Sequence, residues 1–416
     1  MSAKRFKIFV LIFFSSVLLT QGLGAASFYS SKGLGVFTEG IGAQGLALGG
    51  VGVALMEDRA LSSMNPATFL PAGLTRISVH FLNQTIDQKN TAGTGLSRFT
   101  NSFGGQFLVP LGENFSIGVG MAPLFLADYA FESEQGTGES AYRNISSGKG
   151  SLNKFFLGFF SNIKNRFALG ATWNYSFGKY DETWELNYYN ENYDDTSDIL
   201  QTKLKGFNFS TGAVFQALKN WNVGVVLSTA LSLKTEHEMT HNYRIRISEF
   251  STDRARTTLN DGNLKLPFCW GIGTSIKLFK RKLMLTSEYF NNPFSKIEAE
   301  VENMGQNYND YHRISFGISY LPSTDPYAKY FKHIPLRAGF YFKQLQIKYA
   351  NNNPVNEYAV TFGSGLPFFF TLGRLDLALA IGKRGNISEN PVEENFIDLM
   401  VTVTAGEKWF IQGRNK

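Results

Sequence analysis

The stretch Phe167-Ala168-Leu169-Gly170-Ala171-Thr172-Trp173-Asn174-Tyr175-Ser176-Phe177-Gly178 alternates without a slip. In an extended chain successive side chains point to opposite faces. Phe167, Leu169, Ala171, Trp173, Tyr175 and Phe177 therefore share one face, and Ala168, Gly170, Thr172, Asn174, Ser176 and Gly178 the other. That second face is built of small residues, not of the Lys and Glu that coat a water-washed sheet. The run is also long: soluble strands usually hold about 5–6 residues, whereas tilted membrane strands need about 9–11. Together these features describe a wall with lipid on one side and a filled lumen on the other.

Outward from this stretch the pattern recurs. Trp221, Val223, Val225, Leu227, Leu231 and Leu233 oppose Asn222, Gly224, Ser228, Ala230 and Ser232; Leu266, Phe268, Trp270, Ile272 and Ile276 oppose Lys265, Cys269, Gly271, Gly273 and Ser275. Leu375, Leu377, Leu379 and Ile381 oppose Asp376, Ala378, Ala380 and Gly382. Fourteen such segments run from 75–87 to 393–410. The number is even, as expected of a bacterial barrel with both termini on one side. Tight turns at 112–114, 164–166, 218–220 and 280–281 alternate with polar stretches at 130–149, 185–199 and 236–261. Barrels keep short turns in the periplasm and long loops outside, which puts the N-terminus in the periplasm. Trp221 and Trp409 then fall at periplasmic strand ends, where an aromatic girdle belongs.

Composition agrees. Of 416 residues, 43% are hydrophobic and 18% charged, which excludes a disordered chain. A mean hydropathy of −0.13 excludes a bundle of membrane helices. Aromatics reach 15%, with 38 Phe, and Gly reaches 41, the materials of a membrane β-barrel. Lys4, Arg5 and Lys7 precede an apolar run at 8–19 and small residues up to Ala26, the layout of a secretory signal peptide over 1–26. Its removal leaves 416 − 26 = 390 residues and lowers the charge from 40 − 34 = +6 to 37 − 34 = +3. That balance, without a polybasic tract, does not point to nucleic acid. Cys269 is the only cysteine, so no internal disulfide forms.

Residues 27–74 do not alternate. Eight glycines fall within residues 33–52, at 33, 35, 40, 42, 45, 49, 50 and 52. Glycine at this density gives tight turns and close backbone approach, so the segment must pack inside something. Tyr29-Ser30, Gly33-Leu34-Gly35, Ala47-Leu48-Gly49-Gly50-Val51-Gly52-Val53-Ala54 and Asn65-Pro66-Ala67 resemble the N-terminal hatch of the long-chain fatty acid outer-membrane transporter family (FadL/TodX-like). Phe362-Gly363-Ser364-Gly365-Leu366-Pro367, Gly382-Lys383-Arg384-Gly385, Glu394-Asn395-Phe396 and Glu407-Lys408-Trp409-Phe410 are similar to the last strands of its Bacteroidetes-type members. The resemblance covers the hatch and roughly the last fifty residues; the middle matches in strand pattern only. The tail 411–416 departs from the terminal aromatic of many barrels.

The resemblance implies a barrel of fourteen strands over 75–410, plugged by a hatch over 27–74. It implies uptake of long-chain fatty acids or similar hydrophobic compounds, with a kink in the third strand opening the wall. Gly118, Gly120 and Pro123 stand in that strand. Proline has no N–H for the ladder, so Pro123 predicts a gap or bulge. Pro267, in the eighth strand, reads instead as a strand-end proline at the rim. Arg244 and Arg246, in the long loop 236–261, are candidates for pairing a ligand carboxylate.

Two strings argue for other chemistry and lack its context. Gly40-x-Gly42-x-x-Gly45 has no βαβ unit around it. His237-Glu238-Met239-Thr240-His241 fits a zinc-protease string, but that chemistry needs a helix to converge the imidazoles. The expectation places it in a surface loop, with no metal, no cofactor and no catalytic residue. The first reading is thus an all-β transmembrane antiparallel barrel of the outer membrane, moving hydrophobic ligands by passive diffusion. Its partners would be the ligand, outer-membrane lipid and the barrel-assembly machinery. Two alternatives stay open: a non-transporting structural or secretion-associated partner, and a barrel enzyme.

Overall fold

A computed structural model of the chain describes residues 27–57, 62–69, 74–91, 93–163, 166–190, 192–244, 252–258, 261–300, 308–349, 353–368 and 372–407. The signal-peptide expectation over 1–26, Trp409 and the tail 411–416 lie outside these residues, as does Arg246. Among the described residues no helix is long and apolar enough to cross a membrane.

Fourteen strands close into one antiparallel barrel. They are β1 (Thr75–Lys89), β2 (Thr94–Pro110), β3 (Phe115–Gln135), β4 (Tyr142–Ile163), β5 (Phe167–Tyr188) and β6 (Asp195–Leu218). β7 comes in two pieces, Trp221–Ser228 and Leu231–Arg244, and β8 in three, Thr252–Thr258, Gly262–Leu266 and Cys269–Leu278. Then follow β9 (Leu283–Asn292), β10 (Tyr311–Tyr320), β11 (Leu336–Lys348), β12 (Pro354–Phe368), β13 (Gly373–Arg384) and β14 (Glu393–Glu407). Each pairs with the next, and β14 closes on β1 from Glu407↔Thr75 to Glu393↔Lys89.

The faces fall as the alternation requires in β5. There Phe167, Leu169, Trp173 and Tyr175 are 47%, 43%, 41% and 38% exposed on the outside, while Ala168, Asn174 and Ser176 are buried in the lumen. Above the interruptions of β7 and β8 the faces reverse. Leu231, Leu233 and Leu266, expected to face lipid, are buried in the lumen, and Lys265, expected inside, is outside, because the break at 229–230 and Pro267 shift the pleat. Closure satisfies the backbone where water is absent, with an exception at the upper halves of β2 and β3, where the ladder ends.

The polar stretches at the far end are tighter loops than their composition suggests. β3, β4, β5 and β6 run 21, 22, 22 and 24 residues, so most of 130–149 and 185–199 is strand rather than loop. Above the lipid both faces meet water, so the ladder continues while the apolar alternation stops. For the same reason residues 237–241, expected in a loop, belong to the second piece of β7. At the other end, the connection 321–335 between β10 and β11 is longer than the expected short turn, and it exposes Tyr327 at 96% and Phe331 at 77%. Pro267 is not at a rim. It interrupts β8 mid-wall, beside the interruption of β7 at 229–230, because it has no N–H to offer the ladder.

The hatch lies inside. It is mostly irregular chain with a four-residue helix, Ala43–Leu46, and a 3-10 turn, Pro66–Thr68. Its backbone nests against a band of luminal glycines, where Gly170 faces Gly212, Gly224 faces Gly273, and Gly317 faces Gly339 across neighbouring strands. A Cβ on Gly170 would sit 2.5 Å from the Pro66 carbonyl carbon, and one on Gly317 2.5 Å from the Leu48 oxygen. The small face of the alternation is therefore the bed of the plug.

Candidate functional site

β2 and β3 are paired only from Pro110↔Ser116 to Gly105↔Met121. Beyond that point β3 leaves β2, and its register with β4 shifts between Pro123 and Phe125. Pro123 thus stands where the wall parts, as its missing N–H predicts. Gly118 and Gly120 lie below the opening, in the paired part. A Cβ on either would strike Phe160 or Phe156, whose rings cover this stretch from the lumen. Phe69 of the hatch stacks on Phe160 at 4.6 Å. These two glycines admit aromatic packing; the slot itself begins above them.

The slot opens into a groove of about 680 Å³ that continues over the outer face of β4 to β7, lined by Phe99 and Asn101 of β2, Leu126 and Asp128 of β3, and Tyr175 and Phe177 of β5, among others. Phe99, Leu126 and Asp128 also line a luminal chamber of about 130 Å³ with Phe37, Tyr311, Tyr341 and Arg384. The freed edge of β3 is covered by the hatch. Val36 and Phe37 pair with Leu126 and Phe125 as a two-residue strand. Thr38 N–H donates to the Leu124 oxygen at 2.8 Å, and its hydroxyl donates to the Pro123 oxygen at 2.7 Å. Ser30 donates to the Asp128 oxygen at 2.9 Å and accepts from Asp128 N–H at 3.0 Å. The hatch serves here as a substitute neighbour for backbone that β2 leaves unpaired.

Three buried ion-pair clusters hold the hatch to the wall. Arg313 of β10 pairs with Glu39 of the hatch at 2.8 Å and with Glu288 of β9, and it donates to the Gly50 oxygen. Glu288 in turn accepts from Gly52 and Val53 N–H at 2.8 and 2.7 Å. Arg374 and Arg337 share Asp376 at 2.7 and 2.8 Å, and Arg374 reaches Glu57 of the hatch at 3.3 Å. Arg384 bonds Glu357 at 2.6 Å, Glu394 at 2.9 Å and the Ser27 oxygen at 3.0 Å. Charges taken out of water persist only when paired and hydrogen-bonded; the hatch supplies a carboxylate to the first two clusters, and a hydroxyl and the Phe28 N–H to the third. The alternation did not single these residues out. The available signal was a charge on the small-residue face, as in Leu375-Asp376-Leu377.

The hatch residues singled out in the sequence take part. Gly49 and Gly50 adopt φ of 81° and 86°. Asn65 caps the 3-10 turn by accepting from Ala67 N–H at 2.9 Å, and its amide donates to the Val53 oxygen at 2.6 Å. Pro66 and Ala67 lie against Gly170. Asn65→Ala removes the cap and leaves the buried Val53 carbonyl without that donor. A loss of about 1–3 kcal/mol is expected, read as a lower midpoint in heat-induced mobility shift of the folded barrel; an unchanged midpoint would contradict this role.

Other sequence candidates are not brought to the slot. Arg244 ends β7 at the far rim. His237 and His241 stand on extended chain, where four residues span about 13 Å, and each has its own partner: Thr202 at 3.0 Å and Asp198 at 2.7 Å. Gly42 precedes the helix Ala43–Leu46 with no dinucleotide unit around it. Cys269 faces a separate luminal cavity of about 80 Å³ together with Lys154 and Pro267.

A family model described as BamG matches residues 2–415. No curated protein matches the chain in sequence. Among solved structures, the Pseudomonas aeruginosa FadL homologue superposes with a TM-score of 0.62 at 11% identity, over 90% of this chain and 99% of that one. The Pseudomonas putida toluene transporter TodX gives 0.60 at 16%, over 90% and 99%. The Ralstonia pickettii toluene transporter TbuX gives 0.58 at 14%, over 88% and 98%. The chain shares the FadL-like plugged barrel fold of these proteins.

Proposed function

The chain belongs to the BamG family, and from that premise we propose that it is an outer-membrane barrel that passes hydrophobic compounds through the slot between β2 and β3. The observation that carries this reading is the end of the β2–β3 ladder at Gly105 and Met121, backed by a groove that meets the lumen. The toluene transporters TodX and TbuX and the FadL homologue, which share the fold, support it. Long-chain fatty acids are one ligand class that fits an apolar slot with charged groups at its margin. The N-terminus would sit in the periplasm, with the slot opening toward the far leaflet. Ligand pockets usually measure roughly 300–1,000 Å³; the groove at the slot is of that size at about 680 Å³, and the chamber behind it, at about 130 Å³, is not. Passage therefore requires the hatch strand at Val36 and Phe37 to withdraw from β3. The driving force is transfer between apolar surroundings, about 25 cal/mol per Å², with no cofactor and no covalent step.

A disulfide across this contact is the test. Val36 and Leu126 are direct register partners, and paired residues of antiparallel strands lie within disulfide reach. In a Cys269→Ser background, Val36→Cys with Leu126→Cys is expected to lower uptake of a radiolabelled fatty acid or toluene about tenfold when oxidised, with recovery on reduction. Equal uptake in both states, at equal surface level, rules the route out.

A second reading is favoured by the hatch itself. Three buried clusters fix it to the wall, and the exposed Tyr327 and Phe331 at the short-turn end are available to a partner. In that reading the chain moves nothing and supports other outer-membrane proteins, and the family name BamG points to the barrel-assembly machinery. Deleting the gene would then deplete other barrels while leaving hydrophobic uptake unchanged.

A further inference from the structure

On one arc of the barrel the outward apolar residues give way to lysine. β4 changes from Phe155 to Lys149, β5 from Phe177 to Lys179, and β6 from Phe207 to Lys205 and Lys203; β7 and β8 carry Lys234 and Lys265 at outward positions. Register ties them together. Lys149 faces Asp181, Lys179 faces Lys203, Lys205 faces Lys234, and Lys234 faces Asn263 beside Lys265. On the opposite arc, the outward residues above the apolar band are His312, Gln344, Asn356 and Asn395, with Lys383, which is paired with Glu393 at 2.9 Å.

The belt is not neutralised by its own carboxylates. Lys179 pairs with Asp181 at 2.9 Å and Lys265 with Glu298 at 3.0 Å. Glu236 pairs with Lys205 at 2.6 Å and also feels Lys203 and Lys234. Asp261 also acts on Lys205, so two carboxylates stand beside three ammonium groups, and among the described residues Lys203 and Lys234 form no ion pair of their own. Lys179, Lys205 and Lys203 lie one or two outward positions above Phe177 and Phe207, which stand in lipid, and Lys149 lies three above Phe155, which sets the belt at the headgroup plane. Lys149, Lys179, Lys203 and Lys205 also rim the groove, whose wall includes Tyr175, Phe177 and Leu126.

We propose that this belt is a binding site for a phosphate-bearing lipid of the leaflet at the long-loop end, its headgroup on Lys203, Lys205 and Lys234 and its acyl chains along the aromatic face below. Lysine is a point-charge phosphate binder, and the rings beneath supply an apolar surface for chains. This assignment does not require transport: a barrel that moves nothing would still hold the lipid, and a failed tether experiment leaves it standing.

The test uses the full chain in dodecyl maltoside micelles with fluorescent phosphatidic acid as the probe. Binding is expected to weaken at least tenfold in a Lys203→Gln, Lys205→Gln, Lys234→Gln triple variant, to persist in the corresponding triple Arg variant, and to fall with added salt. Diacylglycerol, which lacks the phosphate, should bind at least tenfold more weakly than phosphatidic acid. Inorganic phosphate should displace the probe only at far higher concentration, since it lacks chains. Heat-dependent mobility verifies that each variant is folded. Equal binding by wild type and the Gln variant, equal binding of diacylglycerol, or displacement by inorganic phosphate at the concentration of the lipid would each overturn the proposal.

Discussion

Arg313→Ala is expected to free the hatch from the barrel without unfolding the wall. The guanidinium side chain is wholly buried, between Glu39 of the hatch and Glu288 of β9, and it also holds the Gly50 carbonyl. Its loss strands two carboxylates that now share one counter-charge. Removing one partner of a buried ion pair costs about 3–5 kcal/mol. Glu288 keeps its bonds from Gly52 and Val53, but as an anion facing Glu39 alone it no longer favours the docked hatch. The wall's own ladder β9–β10 is continuous from Leu283↔Tyr320 to Asn292↔Tyr311 and does not depend on the pair. The measurement is limited proteolysis of the folded, heat-modifiable protein. Cleavage inside residues 27–69 should become at least tenfold faster in the variant, and a hatch as resistant as in wild type would sink the idea. Arg313→Lys, which keeps charge but not the forked donor, should fall between the two.

Gly49→Val should have the other large effect, on assembly. Gly49 combines a φ of 81° with a Cβ position 2.5 Å from the Phe340 oxygen and 2.7 Å from the Phe316 oxygen. A β-branched side chain is strained at that φ, and the obstacles are backbone atoms of β10 and β11, which cannot yield without breaking their pairing. The hatch loop would have to lift off the glycine band. Most of the protein is expected to fail to reach the heat-modifiable form, in proportion to a destabilisation of several kcal/mol, on the order of 3 or more. Gly95→Val in β2, where nothing lies within 4 Å, serves as the matched control and should assemble normally. Normal yield of the Gly49 variant would show that the nesting seen at this residue does not govern assembly.

The wall was readable because lipid imposes a strict code. Phe167, Leu169 and Trp173 can only face outward if Ala168, Gly170 and Asn174 face inward, so the strand, its faces and the barrel follow from a single stretch. The parting of β2 and β3 was readable too, because Pro123 lacks the N–H that a closed barrel demands. What escaped had no periodic signature. The extensions of β3 to β6 are wet on both faces, so their sequence resembles loop while their backbone remains in the ladder. The ion clusters join residues hundreds of positions apart, such as Glu39 with Arg313 and Ser27 with Glu394, and no local spacing announces such partners. Gly118 and Gly120 were placed on the right strand but assigned to the opening, whereas they make room for Phe156 and Phe160. Whether a small residue marks a hole or a bed depends on what packs over it.

The closing ladder between β14 and β1 carries a consequence for the order of events. The plug is the leading part of the chain, yet its first described residues are tied to Glu394 and Arg384, on the last two strands. Once the cylinder is sewn shut, a peptide that threads past Arg313, Arg374 and Arg384 has no way in except by breaking each tie in turn. Entrapment must therefore precede or accompany closure, and the finished molecule is a vessel built around its own stopper.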